Sequence, residues 1–149
     1  MHNFTFKKVS SKEEMEKSYA IRNKVFCEEQ KISKEIEFDN LDHLCGHFLI
    51  FDNKKAIATA RVRKKGENTV KIERGAVLFE FRRLKGGSTL IKNIIQHFIN
   101  LNNNISFVLH SQVAVADFYK NLNFISYGDE FFEDEIPHIA MKYVKSLSL

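Results

Sequence analysis

Lys71–Asn103 reads KIERGAVLFEFRRLKGGSTLIKNIIQHFINLNN, and three signals follow one another in it. Val70 to Phe81 is dense in Val, Ile, Leu and Phe, the composition of a buried strand. Arg82, Arg83, Lys85, Gly86 and Gly87 then make a basic loop that contains glycine. After Ser88, Leu90, Ile91, Ile94, Ile95 and Phe98 recur at helical spacing as far as Asn102. In that order of strand, loop and helix, unpaired backbone N–H groups and the positive end of a helix dipole converge, a combination that binds phosphate. Glycine lets the backbone approach an anion closely, and the basic side chains add charge. The plainer reading of the same residues is a solvated basic turn. The spacing excludes a nucleoside-triphosphate loop, because G-x-x-x-x-G-K-[ST] is absent, and it excludes the dinucleotide fingerprint G-x-G-x-x-G.

Outward from this stretch the chain alternates strands and helices. Asn3–Val9 reads as a first strand, and Ser11 with Glu14 forms a capping-box pattern for a helix from about Lys12 to Glu28. Gln30–Cys45, with Glu35, Glu37, Asp39 and Asp42, reads as a short surface helix or loop. Gly46–Phe51 and Lys55–Lys64 form a hairpin, and Lys65–Asn68 turns into the central strand. Beyond the long helix come a strand at Ile105–His110, a short helix at Val113–Leu122 and a short strand at Phe124–Tyr127. An acidic turn at Phe131–Glu135 and a last strand at His138–Val144 close the chain. This order gives an α/β or α+β sheet, antiparallel early and locally parallel where a helix crossover joins the two central strands.

The bulk properties fit one domain over residues 1–149, with enough apolar residues (44%) for a sizeable core. A net charge of +4 suits an anionic ligand, whereas the scattered basic residues argue against nucleic acid. No apolar run reaches spanning length and no signal-peptide core is visible, so a membrane role is not expected. Cys27 and Cys45 make neither a disulfide framework nor a metal site, which fits a cytoplasmic protein with reduced thiols.

With these elements in order, the chain resembles the GNAT superfamily of N-acetyltransferases. ARVR (60–63) and KIERGAV (71–77) resemble the family's third and fourth strands, and the following loop resembles its (R/Q)-x-x-G-x-(G/A) pyrophosphate signature. VADFYKNLNF (115–124) is similar to the family's A-x-x-F-Y-x-x-x-G-F segment, with Asn123 where glycine is usual. IRNKVFCEEQ (21–30), the Asp42–His47 region, LHSQVAVADFY (109–119) and IPHIAM (136–141) are similar to a smaller bacterial group of ElaA/YjcF-like acetyltransferases. In the signature, Arg82-x-x-Lys85-x-Gly87 puts lysine at the first glycine. The shifted register Arg83-x-x-Gly86-x-Ser88 restores that glycine but loses the last small apolar residue. The first register keeps the helix in phase with the family. A positive φ would strain Lys85 there, unless Gly86 takes up the turn.

The resemblance implies a mixed, mostly antiparallel sheet of six to seven strands, flanked by about four helices, with a V-shaped splay between strands 4 and 5. It implies acetyl-CoA or coenzyme A as co-substrate and no metal. Gly75, Ala76 and Val77 would face the pantetheine amides. Arg82, Arg83, Leu84, Lys85, Gly86, Gly87, Ser88 and Thr89 would surround the diphosphate, with Gln112 beside the pantetheine. Tyr119 is the expected general acid toward the departing thiolate, or else an ordinary core residue. Glu73 is the first candidate base, because even spacing puts it on one face with Lys71 and Gly75; an ion pair with Lys71 or Arg61 is its alternative. Glu29, His47, His110 and His138 are candidates for the acceptor side, and the histidines are alternative bases. Cys27 reads as buried filler and no Cys-His couple is seen, so direct attack in a ternary complex is expected. The acceptor would be a primary amine of a small molecule or peptide, and the two acidic stretches favour a cationic one. A non-catalytic acyl-CoA sensor on the same fold is the rival reading. The chain would act as a monomer or homodimer.

Overall fold

The computed structural model describes residues 1–145. Its strands are β1 (Phe4–Lys8), β2 (Gly46–Asp52), β3 (Lys55–Lys64), β4 (Thr69–Val77), β5 (Ser106–Gln112), β6 (Phe124–Glu133) and β7 (Ile136–Tyr143). Its α-helices are α1 (Lys12–Arg22), α2 (Lys34–Glu37), α3 (Gly86–Leu101) and α4 (Ala116–Lys120). The strands form one sheet in the order β1-β2-β3-β4-β5-β7-β6. Every neighbouring pair is antiparallel except β4 and β5, whose parallel pairing requires the α3 crossover. Among the described residues no helix is long and apolar enough to cross a membrane.

Each face of the sheet buries its own apolar set. Leu90, Ile91, Ile94 and Ile95 lie on one stripe of α3 and pack with Phe48, Ile50, Val62, Ile72, Phe107 and Leu109. Ala116 and Leu122, at the two ends of the α4 turn, join the same cluster. On the other face Ile21, Val25 and Phe26 cover Leu49 and Ala76. The predicted capping box forms in a slightly displaced version: Ser11 Oγ accepts from Glu14 N at 3.1 Å, while Glu14 Oε1 accepts from Ser10 N at 2.7 Å.

Three boundaries differ from the sequence reading. The helix expected to run to Glu28 is α-helical only to Arg22 and widens into a π-helix over Asn23–Glu29. The strand expected to run to Phe81 stops at Val77; Phe79–Phe81 is a 3-10 turn in which Phe79 is 72% exposed, while Leu78 and Phe81 pack against the core from its edges. The short strand and acidic turn at the other end are one strand, β6, reaching Glu133. Its pairing with β7 breaks between Tyr127 and Phe131, around the left-handed Gly128, and this interrupts the alternation that would mark a strand. The hairpin turn is Asp134–Glu135, both left-handed, as a tight hairpin demands.

β4 carries the irregularity that shapes the molecule. Thr59 pairs with Ala76 but Arg61 pairs with Glu73, so Arg74 and Gly75 together oppose Ala60. Arg74 is left-handed, with φ 54°. A bulge of this kind shifts the alternation of side chains by one. Ile72 therefore faces α3, whereas Ala76 faces α1. The parallel ladder to β5 also ends just before the bulge, at Ile72–Leu109. Beyond it the two strands part, which is the V-shaped splay.

A charged network fastens the segment between α1 and β2 to the α1 face of the sheet. Arg22 and Arg61 are each only 1% exposed. Arg22 donates through Nε to Glu37 Oε2 at 2.8 Å and through Nη1 to Asp42 Oδ1 at 2.8 Å. Arg61 donates to Asp39, Asp42 and Glu73 at 2.6–3.1 Å. Arg74 donates to the Glu37 carbonyl at 3.3 Å and to Asp39 Oδ2 at 3.2 Å. Truncating Arg61 removes the central cation shared by Asp39, Asp42 and Glu73, which are left with only Arg74, Arg22, and Arg63 with Lys71 to balance their desolvated charge. Arg61→Met should lose about 3–5 kcal/mol in urea unfolding, the usual cost of removing one partner from a buried pair. A loss below about 1 kcal/mol would show that the network behaves like exposed ion pairs.

Candidate active site

The splay opens a cleft of about 760 Å³ between the end of β4, the β4–α3 loop, the tip of β5, α4 and the π-helical segment. Gly75, Ala76 and Val77 line it, as do Arg82, Arg83, Lys85, Gly87 and Ser88 at its basic end. Gly75 cannot carry a side chain freely, because a Cβ there would lie 3.3 Å from the Tyr119 hydroxyl. Gly87 is similarly enclosed by Val77 and Phe118, at 3.2 and 3.3 Å.

The loop turns at Lys85, with φ 69° and ψ 9°, and α3 begins at Gly86. Gly86 is helical and packs against Ile57 instead of absorbing the turn, which corrects that part of the sequence reading. Arg83 is left-handed too, at φ 69°. The first helical amide with a backbone acceptor is that of Thr89, bonded to the Lys85 carbonyl at 3.0 Å; the Ser88 and Thr89 hydroxyls donate to the same oxygen at 3.1 and 2.7 Å. The amides of Gly86, Gly87 and Ser88 thus form the open N-terminus of a long helix, flanked by Arg83 and Lys85. Gly86, Leu84 and Thr89 lie outside the cleft lining and shape the loop from behind.

Tyr119 stands at the fork with its hydroxyl against Gly75. Burial pushes its pKa up to about 12, so the phenol stays protonated until a strong base forms beside it. Gln112 donates through Nε2 to Gln30 Oε1 at 2.9 Å, tying the tip of β5 to the end of the π-helix.

The base candidates fare differently. The bulge turns Gly75 to the α4 side of the sheet, so it does not share a face with Glu73 as the even spacing implied. Glu73 receives Arg61 at 2.6 and 2.9 Å, Arg63 at 2.8 Å and Lys71 at 3.4 Å. Burial raises its pKa, but the hydrogen bonds from Arg61 and the surrounding cations more than offset this and hold it low. A carboxylate so neutralised is a poor proton acceptor. His47 lies outside the cleft lining: it is buried on β2, and its Nε2 donates to the Asp42 carbonyl at 2.8 Å.

His110 and His138 do line the cleft, on the face that looks toward the π-helix, and Glu133 joins them. His110 Nδ1 donates to Glu133 Oε1 at 2.5 Å, which leaves Nε2 as the acceptor nitrogen. His138 Nδ1 donates to the Ile136 carbonyl at 2.7 Å, and its Nε2 lies 3.8 Å from Glu133 Oε2. Sequence reasoning placed Glu133 in an acidic turn and missed this partnership, because no local pattern marks it. In the first acidic stretch Glu37, Asp39 and Asp42 are taken up by Arg22, Arg61 and Arg74, while Glu35 stays exposed. Among the described residues no group of His, Cys, Asp and Glu is placed to hold a metal.

A mixed sheet parted at one parallel pair, with an anion-binding helix start at the fork, is the architecture of GNAT acyltransferases. A GNAT acetyltransferase domain family matches residues 4–145, and the chain belongs to it. It is 32% identical to YyaT, an uncharacterised protein of Bacillus subtilis, over 91% of this chain and 92% of that one. It is 27% identical to YjcF, an uncharacterised N-acetyltransferase of the same organism, over 88% and 93%. The solved structure of Escherichia coli ElaA superposes with a TM-score of 0.81 at 25% identity, covering 97% of this chain and 100% of that one. A GNAT family acetyltransferase of Elizabethkingia anophelis, solved with acetyl-CoA bound, shares the fold at a TM-score of 0.72 and 16% identity, over 95% and 97%.

Two outcomes follow from this geometry. Lys85→Gly removes a left-handed side chain and Lys85→Ala does not, so the glycine variant should be the more stable by about 1 kcal/mol in urea unfolding; equal stabilities would mean that the turn carries no strain. Burial lowers the pKa of His47, so the unfolded chain takes up its proton first as pH falls. The stability that neutral His47 contributes is complete above its ordinary value of about 6.5 and is lost as pH falls toward its lowered folded value. Wild type should therefore lose more stability between pH 7 and 5 than His47→Gln; parallel curves would refute this.

Proposed function

We propose that residues 1–149 act as one domain catalysing transfer of an acetyl group from acetyl-CoA to a primary amine by direct attack. The observation that carries this reading is the convergence at one fork of three things. These are the open helix start with its basic loop, the parted backbone of Gly75–Val77, and the hydroxyl of the half-buried Tyr119 beside it. The related fold solved with acetyl-CoA supports the choice of coenzyme.

The diphosphate lies on the amides of Gly87 and Ser88 with Arg82, Arg83 and Lys85 around it. The pantetheine amides pair with Gly75–Val77, and Gln112 helps to seat the arm. The amine nitrogen attacks the thioester carbonyl, the carbon–sulfur bond breaks, and the thiolate takes the proton of Tyr119. Nε2 of His110, with its tautomer held by Glu133, accepts the proton lost by the amine, and His138 stands behind the same carboxylate. Glu73 is not assigned this role.

Acetyl-CoA at about 100 times its Kd should stabilise the protein by about 2.7 kcal/mol. Tyr119→Phe should keep that stabilisation and lose about 10²-fold in thiol release with an amine found by screening. No stabilisation by acetyl-CoA overturns the reading. Stabilisation without thiol release on any amine would leave a coenzyme-binding module.

A further inference from the structure

The end of the π-helical segment spans the mouth of the cleft with two consecutive residues. Gln30 meets Gln112 on the β5 arm, and Glu29 meets Arg82 on the β4 arm. The Glu29 contact is a two-pronged one: Arg82 Nη1 donates to Oε2 at 2.7 Å and Nη2 to Oε1 at 2.8 Å, while Nε donates to the Val77 carbonyl at 2.9 Å. Arg82 is also the first residue of the diphosphate loop. The guanidinium that the coenzyme needs is therefore already engaged, by a carboxylate from the opposite wall.

This pair differs in kind from the network around Arg61. Its side chains are 35% and 39% exposed, so water competes for both partners and the bond is easily exchanged. A diphosphate brings more negative charge and more acceptor oxygens than one carboxylate. Arg82 is the single cation within ion-pair distance of Glu29 among the described residues. Once Arg82 turns to the diphosphate, Glu29 is an unpaired anion that faces the cleft.

We propose that Glu29 and Arg82 form a ligand-exchange pair. The coenzyme's diphosphate draws Arg82 away, and the freed carboxylate becomes the subsite for the ammonium group of the acceptor. The exchange rests on the acetyltransferase reading and adds an order to it: coenzyme binds first, because the acceptor's anion is masked until then. Glu29 is a specificity residue in this scheme; the proton and acyl transfers belong to other groups.

The test compares wild type with Glu29→Gln, whose pair is exposed enough that folding should persist, as circular dichroism and thermal melting would verify. Three ligands are titrated calorimetrically or kinetically: coenzyme A, pantetheine and the amine found by screening. Without its competitor, Arg82 should bind coenzyme A about three- to fivefold more tightly, the range an exposed ion pair spans. Pantetheine, which lacks the diphosphate, should bind both proteins equally. KM for the amine should rise about tenfold in the variant, as expected for a lost charged hydrogen bond. Tighter coenzyme together with weaker amine is a pair of opposite shifts that a merely structural residue does not give. Coenzyme affinity unchanged or weakened by Glu29→Gln overturns the exchange and makes Glu29 a strut that holds Arg82 ready. Unchanged amine KM overturns the subsite. Wild-type protein that binds no coenzyme A overturns the acetyltransferase reading, and the exchange with it.

Discussion

Two parallel strands that stay hydrogen-bonded to their tips present no free backbone to a ligand. In this protein the ladder between β4 and β5 ends at Ile72–Leu109, and the residue that makes it end is Arg74, held left-handed at φ 54°. The extra residue disrupts β4, and Gly75–Val77 are left without a partner on the β5 side. The same shift sends Gly75 toward Tyr119 and leaves Glu73 with the arginines. The cleft, the approach of Gly75 to Tyr119 and the pairing of Glu73 with the arginines all follow from one inserted residue. A non-glycine residue in this region is unfavourable by itself, so its surroundings must hold it there. The Arg74 guanidinium supplies part of that hold through the carbonyl of Glu37 and the carboxylate of Asp39. The backbone strain that opens the cleft is thus tied to the segment between α1 and β2.

Charge is arranged in two tiers. Arg22 and Arg61, buried with Glu37, Asp39 and Asp42, form a fixed floor in which each charge has partners. Burial raises the pKa of Glu37 in spite of Arg74 and Arg22, while hydrogen bonds from Arg61 above all hold that of Asp39 down. Such buried pairs contribute little net stability over apolar packing, but each is costly to break singly, so they fix geometry. Above the floor sit Glu29–Arg82 and His110–Glu133, with side chains 33–39% exposed. Solvent and ligand can exchange with these pairs. Position in the fold, and not the type of residue, decides which carboxylates are scaffold and which are available for binding.

Much of this was legible in the sequence because its signals are local. The α3 stripe, the S-x-x-E cap at Ser11 and the strand–loop–helix order around Lys85 are periodic or short-range patterns, and they mark two helices and the crossover that makes β4 and β5 parallel. The bulge was not legible, because nothing in KIERGAV says which residue, if any, turns left-handed, and a regular strand puts Lys71, Glu73 and Gly75 on one face. A shift of one residue then reverses every face assignment downstream, which is how Glu73 came to share a face with Gly75 on paper. The acidic run from Glu35 to Asp42 misled for a related reason. Its partners Arg22, Arg61 and Arg74 lie on three other elements, and nothing local reveals that those charges are paired inward. Glu133 was hidden by Gly128, which breaks the alternation of β6 a few residues earlier.

The positions where glycine would be the easy choice show how this chain accommodates its departures from the family pattern. Asn123 occupies a usual glycine position and is left-handed at φ 71°, a conformation that asparagine tolerates better than most residues. Lys85 occupies another at φ 69°, and lysine has no such tolerance. Its carbonyl, however, accepts from the Thr89 amide and from the Ser88 and Thr89 hydroxyls, so three donors hold the turn that the side chain resists. Arg83, two residues earlier, is left-handed as well. Two strained residues, Arg83 and Lys85, thus stand at the basic end of the cleft. Glycine at either position would relax the turn and remove a positive charge from the loop, so the electrostatic gain and the conformational cost are borne by the same residues.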